Sequence, residues 1–159
     1  MAAVLVPAPR VTIEAALQVL EKDLDRHTIT DRPSELELDA LEEALGGKLP
    51  EQFRALLSRL GGGIFYERHE LFGARRLMVH DIELVPDLLS FHRRFAADGK
   101  AAPTAVLVPF HRADGVVHLL DLRSGGEAVV SADGGRSYPD LASFLLRVVI
   151  PPSVSPAET

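Results

Sequence analysis

The chain has 159 residues, enough for one domain with a core of its own and too few for two. Apolar residues make up 47% and charged residues 25%, which excludes wholesale disorder; the absence of cysteine excludes disulfides, thiol catalysis, iron–sulfur clusters and Cys-ligated zinc. With 17 basic against 23 acidic residues the net charge is −6, which argues against a duplex-binding surface and favours a basic partner.

Residues 1–11 read as an irregular lead-in broken by Pro7 and Pro9. Thr12 is placed to cap a helix whose stripe is Ile13, Leu17, Leu20 and Leu24. Ser34 and Glu37 have capping-box spacing, so a second helix is expected from there to about Leu45, with Leu38, Leu41 and Leu45 inward and Gly46-Gly47 as its stop. Pro50 suits the first turn of a third helix, on which Phe53, Leu56, Leu57 and Leu60 form one face before Gly61-Gly62-Gly63 ends it.

Beyond the triple glycine the period changes. Residues 64–66 and 76–80 are short β-branched or aromatic runs that suit strands. Pro86 opens a helical stretch with Leu88, Phe91, His92 and Phe95 on one face, ending near Gly99. Strands are expected at 105–110, 116–122 and 127–131, joined at Asp114-Gly115 and Ser124-Gly125-Gly126. Ser137 and Asp140 are the capping positions of a last helix carrying Leu141, Phe144, Leu145 and Val148. Short turns pair strands antiparallel. The expected class is α+β, with N-terminal helices and a C-terminal helix packed on a mostly antiparallel sheet in a single domain of residues 12–150, followed by a flexible tail at 151–159.

Chemistry-bearing patterns are sparse. No two of the six histidines have the tight spacing of a metal-binding pair, and His92 reads as a hydrogen-bonded core residue. Gly46-Gly47-Lys48 lacks the rest of a phosphate-binding loop. No Gly-x-Ser-x-Gly elbow occurs. The acids Glu35, Glu37, Asp39, Glu42 and Glu43 read as a solvated helix face, or as an acidic docking surface. No cofactor or metal site is expected. No apolar run approaches the roughly 20 residues of a membrane span. Residues 1–7 lack a basic signal-peptide start, so neither membrane nor export is expected and the cytosol is the default location.

The order Leu41-Glu-Glu-Ala-Leu-Gly46, Leu49-Pro50, Phe53, Leu56-Leu57, Gly61-Gly62-Gly63 resembles the N-terminal signature of the SUKH superfamily, which includes the yeast Smi/Knr cell-wall regulators and many bacterial immunity proteins. Residues 106–110, Asp114-Gly115, residues 119–122 and Leu141 to Leu146 look like the second half of that family, so the resemblance covers about 34–148. The chain departs from the pattern at Leu60, where the family commonly has Asn. It departs again at Val116, where a second glycine is frequent, and at His118, usually an aromatic position. The resemblance implies a helix-flanked antiparallel sheet and a non-enzymatic role: binding a protein, typically a basic nuclease-type toxin, and no nucleic acid. Tyr66, Glu67, Glu70, Asp114, His118 and Asp121, where loops meet the sheet, are the candidate partner contacts, with Glu67 and Glu70 preferred. Two rivals are a regulatory scaffold for an endogenous protein and a small hydrolase or metal-dependent enzyme built on His80, His111 or His118.

Overall fold

The computed structural model describes residues 4–5, 12–97, 107–122 and 128–154. Helix α1 (Ile13–Lys22) begins where Thr12 accepts the Ala15 N–H at 3.1 Å. It ends before Leu24, which lies in a 3-10 turn (Leu24–Arg26) and is 47% exposed rather than part of the inner stripe. In α2 (Glu35–Leu45), Ser34 and Glu37 make both halves of the capping box; Leu38, Leu41 and Leu45 are buried, and Gly46 closes the helix at φ 80°. Helix α3 (Glu51–Arg59) buries Phe53, Leu56 and Leu57, and Pro50 stands at its N-cap, one place earlier than expected.

Four of the five acids of α2 pair with arginines, while Glu35, Asp39 and Glu43 remain exposed, as a solvated face would have them. Arg54 of α3 binds Glu35 at 2.6 Å, Asp39 at 2.9 Å and Glu42 at 2.7 Å, and Glu42 also accepts the Leu49 N–H. Arg59 reaches the other way, to Glu14 and Glu21 of α1. Arg75 takes Glu37. Much of the acidic excess read from the sequence therefore ties helices together.

The main sheet has the order β1-β10-β9-β8-β7-β4-β3-β2. Its strands are β1 (Val4–Leu5), β2 (His27–Ile29), β3 (Gly63–Phe65), β4 (His69–Leu71), β7 (Leu107–Ala113), β8 (Val116–Asp121), β9 (Val129–Ser131) and β10 (Arg136–Tyr138). Every neighbouring pair is antiparallel except β1 with β10, so Val4–Leu5, placed in an irregular lead-in by the sequence, instead forms a parallel edge strand. A separate hairpin, β5 (Leu77–Val79) with β6 (Ile82–Val85), is inserted between β4 and β7, followed by α4 (Leu88–Ala97), whose first turn is capped by Asp87 accepting the Ser90 N–H. The expected end of this helix near Gly99 lies outside the described residues, as do residues 105–106 and 127 of two expected strands. Helix α5 (Leu141–Phe144) is capped by Asp140 and widens into a π-helical turn at Leu145–Val149. Ser137 is spent in β10, so it does not cap the helix.

Two glycines show why the triple glycine is there. A β-carbon on Gly63 (φ 144°) would lie 2.3 Å from the Thr28 carbonyl oxygen, and one on Gly62 would lie 2.6 Å from the Gly73 nitrogen. The helix stop at Gly61 is thus only part of its role; the next two residues let β2 and the chain after β4 come into backbone contact.

From β7 the core is built in both directions. The register shifts between Pro109 and His111, a β-bulge at Phe110 in a strand flanked on both sides, directly after a residue with no N–H to give the ladder. The bulge turns two successive side chains the same way: Phe110 and His111 both meet Phe144, with ring centroids at 5.3 and 4.9 Å, and Phe110 also meets Phe53. Arg112 points to the other side, pairing with Glu70 at 2.7 Å and crossing the Phe72 and Phe91 rings beneath α4. Two substitutions test this account in thermal melts. Ser34→Ala removes the hydroxyl that accepts the Glu37 N–H, leaving only the backbone N–H of residue 34 on the Glu37 carboxylate, and should cost about 1 kcal/mol. Gly63→Ala should cost clearly more, because the clash is with backbone rather than with a movable side chain.

Candidate functional site

One end of the sheet is a row of short turns, at residues 23–26, 66–68, 114–115 and 132–135. Asp114 (φ 52°) and Gly115 (φ 79°) form a two-residue hairpin tip with both φ positive, the geometry that matches strand twist, so Val116 starts β8 and a second glycine there is not needed. Tyr66 (φ 52°) and Glu67 (φ 60°) also sit in the left-handed region, an uncommon conformation for residues other than glycine. Arg68 and Asp114 form an ion pair that joins these two turns.

Tyr66 is well anchored. Its hydroxyl donates to Asp23 at 2.8 Å, its N–H donates to His27 Nδ1 at 3.1 Å, and the Arg26 guanidinium lies over its ring. Burial, then the bond to Asp23, pushes its hydroxyl pKa up. His27 donates from Nε2 to the Leu20 carbonyl at 3.1 Å, so both ring nitrogens are used by the neutral form; burial is the main cause of its lowered pKa.

Behind the turns lies a cavity of about 400 Å³ whose lining includes His69, His111 and His118, with Arg68, Asp114, Asp133 and Arg136 also facing it. The three histidines are buried, at 4%, 1% and 7% exposure. His69 Nδ1 is 2.9 Å from His111 Nε2, and His111 Nδ1 is 3.1 Å from His118 Nδ1. His118 occupies a cage of aromatic neighbours, Phe144 at 4.7 Å and Tyr138 at 6.0 Å, which explains how an imidazole stands at a usually aromatic position. His111 spends opposite nitrogens on its two neighbours, so the rings form a line and cannot converge on one ion, which would need a nitrogen from each at about 2.0–2.1 Å. Among the described residues no group of three His, Asp or Glu can hold a metal.

Burial lowers all three pKa values, to about 4 for His69 and His118 and further for His111, which lies between two other rings. Asp133 faces His118 and is itself held low by the Ser131 hydroxyl at 2.6 Å, then by the Gly135 N–H.

The structure sorts the candidate contacts. Glu67 is exposed and Asp114 projects beside it; Tyr66 is half-buried with its polar atoms occupied. Glu70 is bound bidentately by Arg112, so it is a structural pair rather than a free contact. His118 and Asp121 are buried. His80 stands at the exposed tip of the β5–β6 hairpin, apart from the buried pair His111 and His118. His92 is half-buried and its Nδ1 has no hydrogen-bond partner among the described residues, contrary to the expected satisfied core histidine. A larger groove of about 790 Å³ runs between α4, β6 and β8, but its charges are already used, Arg112 on Glu70 and Arg94 near Glu83.

The partner histidine His69 was missed, because it is 42 residues from His111. The His111–His118 contact was legible. A two-residue turn at Asp114-Gly115 sets Ala113 opposite Val116, and counting back two places puts His111 level with His118, before the bulge is reached.

The geometry defines an α+β domain with four turns forming a charged rim over a buried histidine line. The chain belongs to the SMI1 / KNR4 family (SUKH-1), whose model matches residues 32–145. Its fold is similar to the crystal structure of a protein from Pseudomonas syringae pv. tomato: TM-score 0.62, 16% sequence identity, 83% of this chain and 96% of that one covered. No curated protein matches the chain in sequence. No helix among the described residues is long and apolar enough to cross a membrane.

A pH dependence follows from the histidines. Their folded pKa values lie below the usual 6.5, so below that pH the unfolded chain binds more protons. Stability should be full above about pH 6.5 and fall as pH drops toward about 4, a trend that urea midpoints measured across this range would check.

Proposed function

We propose that this protein is a non-enzymatic binding domain that neutralises a cognate bacterial toxin of nuclease type by direct contact, that is, an immunity protein. The observation that carries the reading is membership of the SUKH family. The charge supports it. A toxin that holds nucleic acid presents a basic surface, and a chain of net charge −6 is steered onto such a surface by its field. The rim supports it as well: Glu67 is displayed on a turn of three residues, where little loop entropy remains to be lost on binding, next to the exposed Arg68–Asp114 pair. The hydrolase alternative has less in its favour, since His111 and His118 are buried with ring nitrogens facing one another and His80 stands on a separate hairpin.

Affinity capture of the tagged chain from its native organism, with mass spectrometry of what co-elutes, tests the reading. Equimolar recovery of a toxin or its C-terminal fragment is the expected result. Recovery of housekeeping proteins alone would replace it with the scaffold role. With the toxin in hand, association should slow steeply as salt shortens the Debye length from about 10 Å to about 3 Å. Glu67→Arg should slow it several-fold while leaving the melting temperature near that of the parent; an on-rate indifferent to salt would remove electrostatic steering from the account.

A further inference from the structure

The line of histidines has a capacity that can be counted. A neutral imidazole carries one proton on two nitrogens. His111 faces His69 through Nε2 and His118 through Nδ1, so a neutral His111 donates to one neighbour and accepts from the other. Both hydrogen bonds therefore run in one direction along the line. One added proton fits on the outer nitrogen of the ring at the donating end, because that ring keeps its inner N–H to give. A second cannot be placed. Two contacts use one proton each and the two outer nitrogens take one each, so any further proton sets two N–H groups face to face at 2.9 or 3.1 Å.

We propose that His69, His111 and His118 form an acid-operated latch, in which uptake of a second proton parts the rings and opens the turns at 66–68 and 114–115 while the helical core stays closed. The charges around the line set its order of loading. Asp133 faces His118 from the 132–135 turn and favours the first proton there. Arg68 opposes a charge on His69, and its partner Asp114 partly offsets it. From β10 come Arg136 and Tyr138; the α5 end contributes Phe144 and Val148, which do not titrate. The turns yield before the core because of where the rings are. His69 directly follows Arg68, and His111 and His118 flank the hairpin tip, so parting them separates β4 from β7 at their turn ends. Tyr66 and Glu67 already occupy a backbone region that costs energy for such residues. The latch stands or falls independently of the partner.

The test uses the full chain without a partner. Nitrogen spectra of labelled histidine read tautomers directly, and amide exchange reads opening, both followed from neutral pH downward. The expected result is a single polarity along the line at neutral pH and first uptake at His118. At lower pH, protection should then drop at least tenfold for amides of residues 66–69 and 112–117 with α3 still protected. His118→Gln keeps a hydrogen-bonding group beside His111, but leaves two adjacent rings to share any two protons. The opening should then move to lower pH by about one unit. His69→Gln serves the same purpose should that variant not fold. His27, which grips Tyr66 from the other side, is unchanged in both variants, so a shift assigns the opening to the line. Loss of rim and core protection at one common pH would overturn the proposal. So would an opening unmoved in a folded variant, or stoichiometric zinc uptake by the three rings.

Discussion

The bulge at Phe110 is the constraint on which the rest of the molecule leans. A regular strand sends successive side chains to opposite faces. Here Phe110 and His111 go the same way, so one strand supplies both the aromatic contact to α3 and α5 and the centre of the histidine line. Arg112, next along, is left for the other face, where it holds Glu70 beneath α4. Pro109 is the chemical cause within reach of the sequence: a proline cannot donate to the ladder, and in a strand paired on both sides it is tolerated where the pairing is already interrupted.

Electrostatics in this fold are mostly internal. The sequence shows a run of acids on α2 that invites reading as a docking surface. Folding spends three of them on Arg54 and one on Arg75, while Arg59 takes two acids of α1. Exposed pairs of this kind contribute little individually, about 0–1 kcal/mol, but several sharing one guanidinium fix how the helices sit together. What is left to act at a distance is the excess of acid over base and the few carboxylates displayed on turns, Glu67 foremost.

The helices were legible because their signals are local. Thr12, Ser34 with Glu37, and the spacing of Phe53, Leu56 and Leu57 act within a turn or two of chain, and the structure uses them as read. Strands β2, β4 and β10 were not legible: their residues, His-Thr-Ile, His-Glu-Leu and Arg-Ser-Tyr, lack the apolar β-branched or aromatic run that marks β3, β5 and β9. Strands β2 and β4 also depend on neighbours distant in sequence. Ser137 misled for that reason, a good capping residue taken up by a ladder instead. The site divides the same way. Asp114 and Glu67 could be placed near turns from sequence, whereas the bond from Arg112 to Glu70 and the arrival of His69 depend on β4 lying beside β7, and the burial of His118 depends on Tyr138 and Phe144 packing against it.

The β5–β6 hairpin leaves the chain after β4, pairs only with itself, and the chain returns through α4 to β7, which lies directly beside β4. The main sheet thus closes over the insertion as though it were not there. Its register is set by β4 and β7 alone, so the excursion is a cassette: it can lengthen, shorten or change its exposed Met78 and Ile82 without moving a single rung of the ladder that carries the histidines. The excursion is thereby a place where this chain can change at the tip without the rest of the architecture registering it.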